Sequence, residues 1–529
     1  MKVNLLATSS TSALFELDNE EIVHTNTPYT ILLNSKMYQT HQTKNVFSIY
    51  HLTPDTAYEL EIVNEVTDES TILTFQTDEE SICLNVKRFN AQGDGKSDDT
   101  LAIQAAIMAC PLKGRVFIPK GTYRVKTIFL KSDLTLEFEK GARLLYEVTP
   151  MTGAILPGYT SNQDHEEYYL GSWEGNPLDT FTALIQGINV SNVKIIGEGI
   201  LDGNQESDWW QYPKVKRGAW RPRLFQLINC QFVTVQGMTF TNSPSWTIHP
   251  LWSNDLIFAD LKVMNPKEPP NTDGLDPESC ENVLIVGVYF SVGDDCIAIK
   301  SGKIYLGRRL KKTSKNICIR NCSMNFGHGA VVIGSEMAGG VKNLLVERCW
   351  FNQTDRGLRI KTRRGRGQTA IIENVIFKTI KMTKVSSPLV INSFYFCDPD
   401  GHSEYVKTKE RLLVDERTQF IRDCHFENLE CVDCEAVAGY FYGLPEQPIE
   451  KLKLTNCHFS FKENATPSYP AMMDDIRAYV KEGLIVTNVE ELELNNLTFD
   501  GVKGEELVLN QIKRVVTEHA TKKAHCGID

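Results

Sequence analysis

The sequence predicts an all-β protein that is built mainly as a parallel β-helix, a solenoid of stacked coils. Two observations support this prediction. Short apolar alternations recur along most of the chain, and those that begin at Asp255, Asn282, Asn316 and Asn343 start 27, 34 and 27 residues apart. They are rich in Val and Ile, and no long helical pattern separates them, which indicates strands as the repeating unit.

The repeats extend from about residue 184 almost to the end of the chain. Alternate residues of each strand turn inward, so the core should be a stack of aliphatic ladders. Asn at a strand entry fits a tight corner, where its side chain can bond the nearby backbone. The stretches that echo one another are 192–197, 232–237, 255–258, 282–287, 316–319, 343–346, 449–454 and 489–494.

Composition restricts the class of protein. The 529 residues are 42% apolar and 23% charged, as in soluble globular proteins, and no run is long enough for a transmembrane span. The net charge of −11 argues against nucleic acid as a partner. The first seven residues contain too short an apolar run for a signal sequence, so we expect a cytoplasmic protein.

Cysteine usage also indicates a reducing compartment. The 14 Cys are scattered through apolar alternations, as small buried hydrophobes are. Cys431 and Cys434 form a CxxC near His425, but no second pair lies at ligand spacing. We therefore expect neither a metal nor a cofactor, and the sequence does not indicate an oligomeric state.

Two domains are predicted, residues 1–80 and residues 81–529. In the first, strand-like alternations lead to Leu52-Thr53-Pro54 and then to Tyr58, which opens another strand. This pattern resembles the fibronectin type III family, in which such a Tyr closes a small β-sandwich. We expect the module to act as a spacer or a stabilising cap, with no binding role.

The second domain should begin with a cap. Asp98 and Asp99 precede an amphipathic helix at 101–110, where acidic side chains suit a helix start. A strand at 114–119 and a turn at 120–123 follow. The stretch resembles the N-terminal cap of pectin-degrading right-handed β-helices.

Three segments interrupt or end the repeat. An insertion at 149–180 contains many aromatic residues and should be ordered. A second interruption covers 398–416, and we predict a helix at 470–483. The charged tail after Leu507 should fray or cap the last coil.

Four short motifs carry the chemistry: Asn-Thr-Asp-Gly at 271–274, Gly-Asp-Asp-Cys at 293–296, Gly-His-Gly at 327–329 and Arg-Ile-Lys at 359–361. Their spacing suits successive coils, which stack about 4.8 Å apart. In this order the motifs resemble those of the polygalacturonases, glycoside hydrolase family 28. The resemblance covers roughly residues 85–500.

Crowded carboxyl groups suit glycoside hydrolysis, because like charges raise one pKa and so provide a proton donor. The resemblance implies that Asp294 is the general acid and that Asp273 and Asp295 activate water. It places His328 beside the acid. In a regular strand, adjacent Asp side chains point to opposite faces, so we expect a kink at Gly293 to turn both outward.

Arg359 and Lys361 share one strand face, and a substrate carboxylate would offset their charges. The resemblance implies that they bind substrate together with Asn271 and Tyr395. Four nearby arginines should form a solvated basic face: Arg356, Arg363, Arg364 and Arg366.

The function expected from the resemblance is hydrolysis of α-1,4 bonds between galacturonic acid units, with inversion and carboxyl separations of about 6.5–9.5 Å. Exo action is favoured for three reasons. The 149–180 insertion could close one end of a groove, and only short imported oligomers would reach a cytoplasmic enzyme. The resemblance adds that family members with a fibronectin-like module and such insertions tend to be exo-acting. Endo action and hydrolysis of rhamnogalacturonan or decorated galacturonan stay open. A non-catalytic β-helix binding protein would have no reason to keep three acids, a His and two cations together.

Overall fold

The chain folds into a right-handed parallel β-helix preceded by two small antiparallel sheets. The computed structural model describes residues 2–161, 167–212 and 220–518. Within these residues no helix is long and apolar enough to cross a membrane.

The N-terminal sheets pack face to face around an apolar core that includes Phe15, Tyr29 and Phe75. Tyr58, the residue singled out in the sequence, accepts a hydrogen bond from the Thr53 N–H (2.8 Å) and stacks on Phe75. The assignment to the fibronectin type III family stays a prediction. One sheet contains Lys2–Thr8, Ala13–Asp18 and Val46–Ile49; the other contains Lys36–Lys44, His24–Leu33, Ala57–Asn64 and Ser70–Gln76.

Three parallel sheets form the walls of the β-helix. The first consists of Cys83–Asn85, Arg115–Ile118, Leu134–Phe138, Ser191–Gly197, Gln231–Gln236, Asn254–Ala259, Glu281–Val286, Ser314–Arg320, Val341–Glu347, Ile371–Thr383, Asp423–Cys434, Ile449–Phe461, Glu482–Asp500 and Leu507–Glu518. The predicted echoes lie on these strands. The strands Ile371–Thr383 and Asp423–Cys434 were not anticipated.

The second sheet follows the first within each coil. Its strands are Asp94–Asp98, Gly121–Val125, Ala142–Tyr146, Ile200–Asp202, Thr239–Thr241, Lys262–Met264, Tyr289–Ser291, Ser323–Met324 and Trp350–Asn352, continued by the second halves of the long strands.

The third sheet is the one that bears the predicted site. Its strands are Ile128–Phe129, Ile185–Ile188, Phe225–Ile228, Ile248–Leu251, Ile297–Ile299, Val331–Gly334, Arg356–Lys361, Ser387–Asn392 and Val437–Tyr442, and it ends on the first halves of Glu482–Asp500 and Leu507–Glu518. Leu275 pairs with both Ile248 and Ile297, so its coil belongs to this sheet.

The core follows the predicted ladders. In the first sheet, Val193, Val233, Leu256, Val283 and Ile317 stack in register and are buried. Farther along the same ladder, Cys424 takes the place of an aliphatic side chain and is fully buried. It acts as a small hydrophobe, as the sequence predicted.

The corner asparagines bond one another and not the backbone. Asn282, Asn316 and Asn343 have φ between 55° and 56°, in the left-handed region that Asn tolerates. Each donates its side-chain N–H to the corresponding side chain of the preceding coil, beginning with Asp255, at 2.9–3.0 Å. The result is a side-chain ladder along the outer edge of the first sheet.

The N-terminal sheets dock on the ends of the first-sheet strands. Glu16 is buried and binds Arg320 and Arg348, which belong to two successive coils. Beside this ion pair, Leu14 and Val46 form an apolar cluster with Ala259 and Val286. The module is therefore fixed to the coils by both burial and charge.

Short helices occupy the remaining ordered turns. They are Thr100–Ala109, Ile304–Leu310 and Glu404–Lys407, with 3-10 turns at Val86–Phe89 and Asp208–Trp210. Asp98 accepts the Thr100 N–H, as a capping residue does, but Asp99 turns back to the N–H groups of Gln92 and Gly93. The predicted helix at 101–110 is thus confirmed to within one residue.

Two predictions for the C-terminal part are corrected or refined. The predicted helix at 470–483 is wrong: residues 470–481 are a loop, which Asp475 with φ 60° keeps from being helical, and Glu482 begins the strand Glu482–Asp500. The loop buries Ala471 and Met473 in an apolar cluster. The tail from Leu507 forms a full strand, Leu507–Glu518, that pairs with the last coil.

The 149–180 insertion contains two short antiparallel pairs: Ile155–Leu156 with Thr180–Phe181, and Thr160–Ser161 with Glu167–Tyr168.

Candidate active site

Asp294 and Asp295 lie in a bend between the strands Tyr289–Ser291 and Ile297–Ile299. The bend depends on Gly293, since a Cβ there would lie 2.7 Å from both Pro266 O and Thr272 Oγ1. The two carboxyl groups reach different depths: the Asp294 side chain is 20% exposed, and that of Asp295 is 1% exposed. The expected departure from a regular strand is therefore present, but only Asp294 faces solvent.

Backbone hydrogen bonds between coils bring the predicted acids together. The Gly274 N–H donates to Asp295 O, and the His328 N–H donates to Asp294 O, both at 2.9 Å. Oxygens of Asp273, Asp294 and Asp295 lie within 4.8 Å of one another. This approach is closer than the about 6.5–9.5 Å expected for a carboxyl pair that holds water between its members.

Buried cations make this crowding possible. Lys361 Nζ lies 2.7 Å from Asp295 Oδ2, and Arg359 Nη1 lies 3.6 Å from Asp295 Oδ1. Lys300 Nζ lies 3.7 Å from Asp273 Oδ2. By geometry alone, three carboxylates could also hold a metal ion, but these cations already offset their charge.

Arg359 and Lys361 share the outer face of their strand, as predicted, while Leu358 and Ile360 point into the core. Their side chains are buried, and both pair with Asp295. The ring of Tyr395 lies 5.9 Å from the Arg359 guanidinium and 5.8 Å from Lys361 Nζ. The three residues therefore form one cluster beside the acids.

The expected pKa pattern differs from the one that the structure produces. Burial, followed by the charge of Asp294, raises the pKa of Asp273 well above its usual range. Burial also raises the pKa of Asp294, but the His328 hydrogen bond, Lys361 and the Asn271 N–H together bring it below the ordinary value. Burial therefore raises the pKa of Asp273, while local hydrogen bonds and charges lower that of Asp294, which is the reverse of the expected order.

His328 is the most exposed member of the cluster, at 51% of its side chain. Its Nδ1 lies 3.5 Å from Asp294 Oδ1. The hydrogen bond to Asp294 raises the pKa of His328, and burial opposes the change. The imidazolium form is therefore favoured beside the one carboxylate that faces solvent.

Asn271 shapes the turn that carries Asp273. It has φ 62°, and its N–H donates to Asp294 Oδ2 at 2.9 Å. Its side-chain oxygen accepts a hydrogen bond from Arg221, which also binds Pro270 O and packs over Trp220. The Asn271 side chain is therefore engaged by the protein.

The four nearby arginines do not form a solvated face. Arg363 and Arg366 bind Asp398, and Arg364 binds Glu446 in a bidentate pair. Arg356 donates to the carbonyls of Tyr469 and Pro470. They hold three loops, those that carry Asp398, Glu446 and Tyr469, against the third sheet, because buried guanidinium groups need such partners.

The 149–180 insertion covers the outer face of the coils that precede the acids. Trp173 stacks on Trp246 (5.9 Å between centroids), and Arg223 donates to Ser172 O. At its far side, the Lys303 N–H donates to Gly175 O at 3.0 Å. Outward-facing His249 is consequently fully buried.

The main residue that the sequence analysis missed is Lys300. It is buried on the outer face of the third sheet, among Asp273, Asp276 and Glu336. A single Lys that ends the apolar run Cys296-Ile297-Ala298-Ile299 was the available signal.

Comparisons with known proteins agree with this arrangement. The model of the family "Glycosyl hydrolases family 28" matches residues 116–408, which is more than half of the chain. A second model, "Rhamnogalacturonase A/epimerase, pectate lyase-like", matches residues 83–137, the predicted cap.

Three curated relatives show similar sequences. A probable polygalacturonase of Vitis vinifera is 28% identical over 72% of this chain and 75% of its own length. An exo-poly-alpha-D-galacturonosidase of Dickeya chrysanthemi is 26% identical over 65% of this chain but only 62% of its own length. An endo-polygalacturonase of Pectobacterium parmentieri is 29% identical over 56% and 73%.

A solved structure supports the fold. The family 28 exopolygalacturonase of Yersinia enterocolitica superposes with a TM-score of 0.68 at 20% identity, covering 97% of this chain and 98% of that one. The likeness includes the N-terminal part of the chain, since nearly all of both chains is covered.

The Lys361–Asp295 ion pair generates a stability prediction. Lys361→Met should lower the free energy of unfolding by about 3 kcal/mol, because it leaves a buried carboxylate without its nearest cation. Lys342→Met is the matched control: Lys342 pairs with Glu373 but its side chain is half exposed, so it should cost less than about 1 kcal/mol. Urea unfolding followed by circular dichroism measures both. Equal losses would mean that the buried pair does not stabilise the fold.

Proposed function

The chain belongs to glycosyl hydrolase family 28, and from that membership and the site's geometry we propose that it hydrolyses α-1,4 bonds between galacturonic acid units. One observation carries the proposal. Three carboxyl groups from two adjacent coils approach within 4.8 Å on a face where His328 and buried cations accompany them. This set provides a proton donor, a water-activating base and countercharges for an anionic sugar.

Asp294 is the general acid in this proposal, as the resemblance implied. It is the one carboxyl of the three whose side chain is partly exposed, so it alone can reach the oxygen of a bound glycosidic link. Arrival of a uronate adds negative charge and excludes water, and both changes raise the pKa of a neighbouring carboxyl. His328 lies where it can exchange a proton with Asp294.

Asp273 and Asp295 act together as the general base that activates water. Their side chains are 5% and 1% exposed, so neither can extend to a sugar carbon as a nucleophile. A water molecule held in front of them can reach it. This recess favours direct displacement by water, and therefore inversion, although the acids are crowded more closely than in a simple inverting pair.

Arg359 and Lys361 provide the positive field for the sugar carboxylate. Each has one anionic partner among the described residues, Asp295, and together they place two positive charges against it. The surplus charge favours an acidic sugar over a neutral one. Tyr395 flanks the same two cations, and Asn271 supports the acid through its N–H.

The finer proposal is exo action, in which single galacturonic acid units are released from a chain end. It rests on the 149–180 insertion, because Trp173 and Gly175 fasten that segment over the coils next to the acids. An enzyme that cuts internally needs a groove open at both ends. Relatives of both kinds, exo and endo, resemble this chain, so endo action is the alternative.

Asp294→Asn should abolish activity on polygalacturonate while leaving the fold intact, because the change is isosteric and removes only the transferable proton. Asp255→Asn is the matched control. Asp255 accepts the first hydrogen bond of the asparagine ladder, which Asn can also accept. Reducing-sugar release and thermal unfolding measure both variants, and near wild-type turnover by Asp294→Asn would refute the acid assignment.

The stereochemistry of the product provides an independent check. Attack by water opposite to the leaving group converts an α-linkage into a β-anomer. Proton NMR during the first minutes, before mutarotation, should show the β-anomer. An initial α-anomer would exclude this mechanism and indicate a covalent intermediate.

Exo action predicts that the viscosity of a polygalacturonate solution falls slowly relative to the reducing ends formed, and that the monomer dominates early products. Trp173→Ala should loosen the insertion and raise the proportion of internal cuts, since Trp173 is packed between Trp220 and Trp246. A steep early fall in viscosity with mixed oligomers from the wild type would contradict exo action and leave the hydrolase proposal standing.

A further inference from the structure

Lys300 is a buried cation placed among carboxylates from the two coils that flank its own. Its Nζ lies 3.3 Å from Glu336, 3.7 Å from Asp273 and 3.9 Å from Asp276. The ring of Trp246 lies 4.3 Å from the same nitrogen. Only 3% of the residue is exposed, so its charge acts through a medium that screens it weakly.

Asp273 depends on charge more than on hydrogen bonds. Among the described residues its Oδ1 has no hydrogen-bond partner, and Lys300 approaches Oδ2 at ion-pair distance only. A buried carboxylate without donors is ionised only if nearby cations offset the cost of burial. The charged groups that face it are Asp276, Asp294, Asp295, Lys300, Lys361 and Arg221.

Among the described residues, Lys300 is the cation that lies within ion-pair distance of Asp273. Lys361 is bound to Asp295 at 2.7 Å, and Arg221 donates to Asn271 and Pro270. Both are therefore engaged by other groups. The Trp246 ring restricts where the Lys300 ammonium can move, which keeps its charge near Asp273.

We propose that Lys300 is a positioning residue that holds Asp273 as an ionised base for the reaction. The proposal rests on the proposed function, because it assigns a partner to the base of that mechanism. Glu336 has the opposite effect: it competes for the ammonium and adds a negative charge 3.3 Å from it. The ionisation of Asp273 is thus set by the balance between Lys300 and Glu336.

The sign of the pH effect follows from this balance. A base must be ionised, so activity is lost as pH falls through the pKa of Asp273. Removal of the Lys300 charge raises that pKa and moves the acid-side limb of kcat to higher pH by about one to three units. Removal of the Glu336 charge frees Lys300 to act on Asp273 and moves the limb to lower pH.

The experiment compares Lys300→Met, Lys300→Arg and Glu336→Gln with the wild type on polygalacturonate across pH. Lys300→Met should lower kcat at the wild-type optimum about 10- to 100-fold and shift the limb upward, with KM little changed. Lys300→Arg should return the limb toward the wild-type position because it keeps the charge. Lys315→Met is the control, since Lys315 lies on the first sheet, pairs with Glu281 and, among the described residues, makes no ion pair with Asp273 or Glu336.

The outcomes separate the possibilities. Opposite shifts for Lys300→Met and Glu336→Gln, with no shift for Lys315→Met, support the proposal. An unmoved limb in Lys300→Met, or shifts of the same sign, overturns it and leaves Lys300 a structural residue. If Lys300→Met does not fold, the direction of the Glu336→Gln shift decides. A wild type that releases no galacturonic acid would instead refute the proposed function.

Discussion

The spacing between stacked coils is the constraint on which the rest of the molecule depends. Parallel strands lie about 4.8 Å apart, and the inward aliphatic ladders prevent one coil from slipping past the next. Leu275 is therefore held between Ile248 and Ile297, and everything attached to its coil is held with it. Carboxyl groups on adjacent coils cannot separate to relieve their repulsion. The fold therefore fixes the mutually repelling carboxyl groups in place, and buried cations offset part of the repulsion.

Most of the fold and the members of the site could be predicted from the sequence because both depend on local periodicity. Alternating Val and Ile define strands, and corner residues such as Asn282 and Asn316 mark where each coil turns. Once the coil length is known, Asp273 and Asp294 must be neighbours. The structure brings together every residue predicted for the site, because stacking in register fixes the position of each motif relative to the coils beside it.

The remaining features could not be predicted because they depend on segments that meet from distant parts of the chain. Arg363 and Arg366 are buried only because Asp398 lies on a loop that folds back over them. The burial of the Asp273 and Asp295 side chains depends on tertiary packing, which the sequence spacing of the motifs does not indicate. Residues 470–483 carry a helix-like composition, but contacts made by Arg356 with Tyr469 and Pro470 hold the start of this segment as a loop.

The docked N-terminal module also determines how the protein behaves toward other molecules of its kind. Leu14 and Val46 cover Ala259 and Val286, and Glu16 neutralises Arg320 and Arg348. Without the module, the same coils would present an apolar strip beside Arg320 and Arg348, which would have lost Glu16 as their partner. An exposed apolar strip of this kind favours self-association. The module is therefore part of the colloidal stability of the β-helix, on a different sheet from the acids and independent of their chemistry.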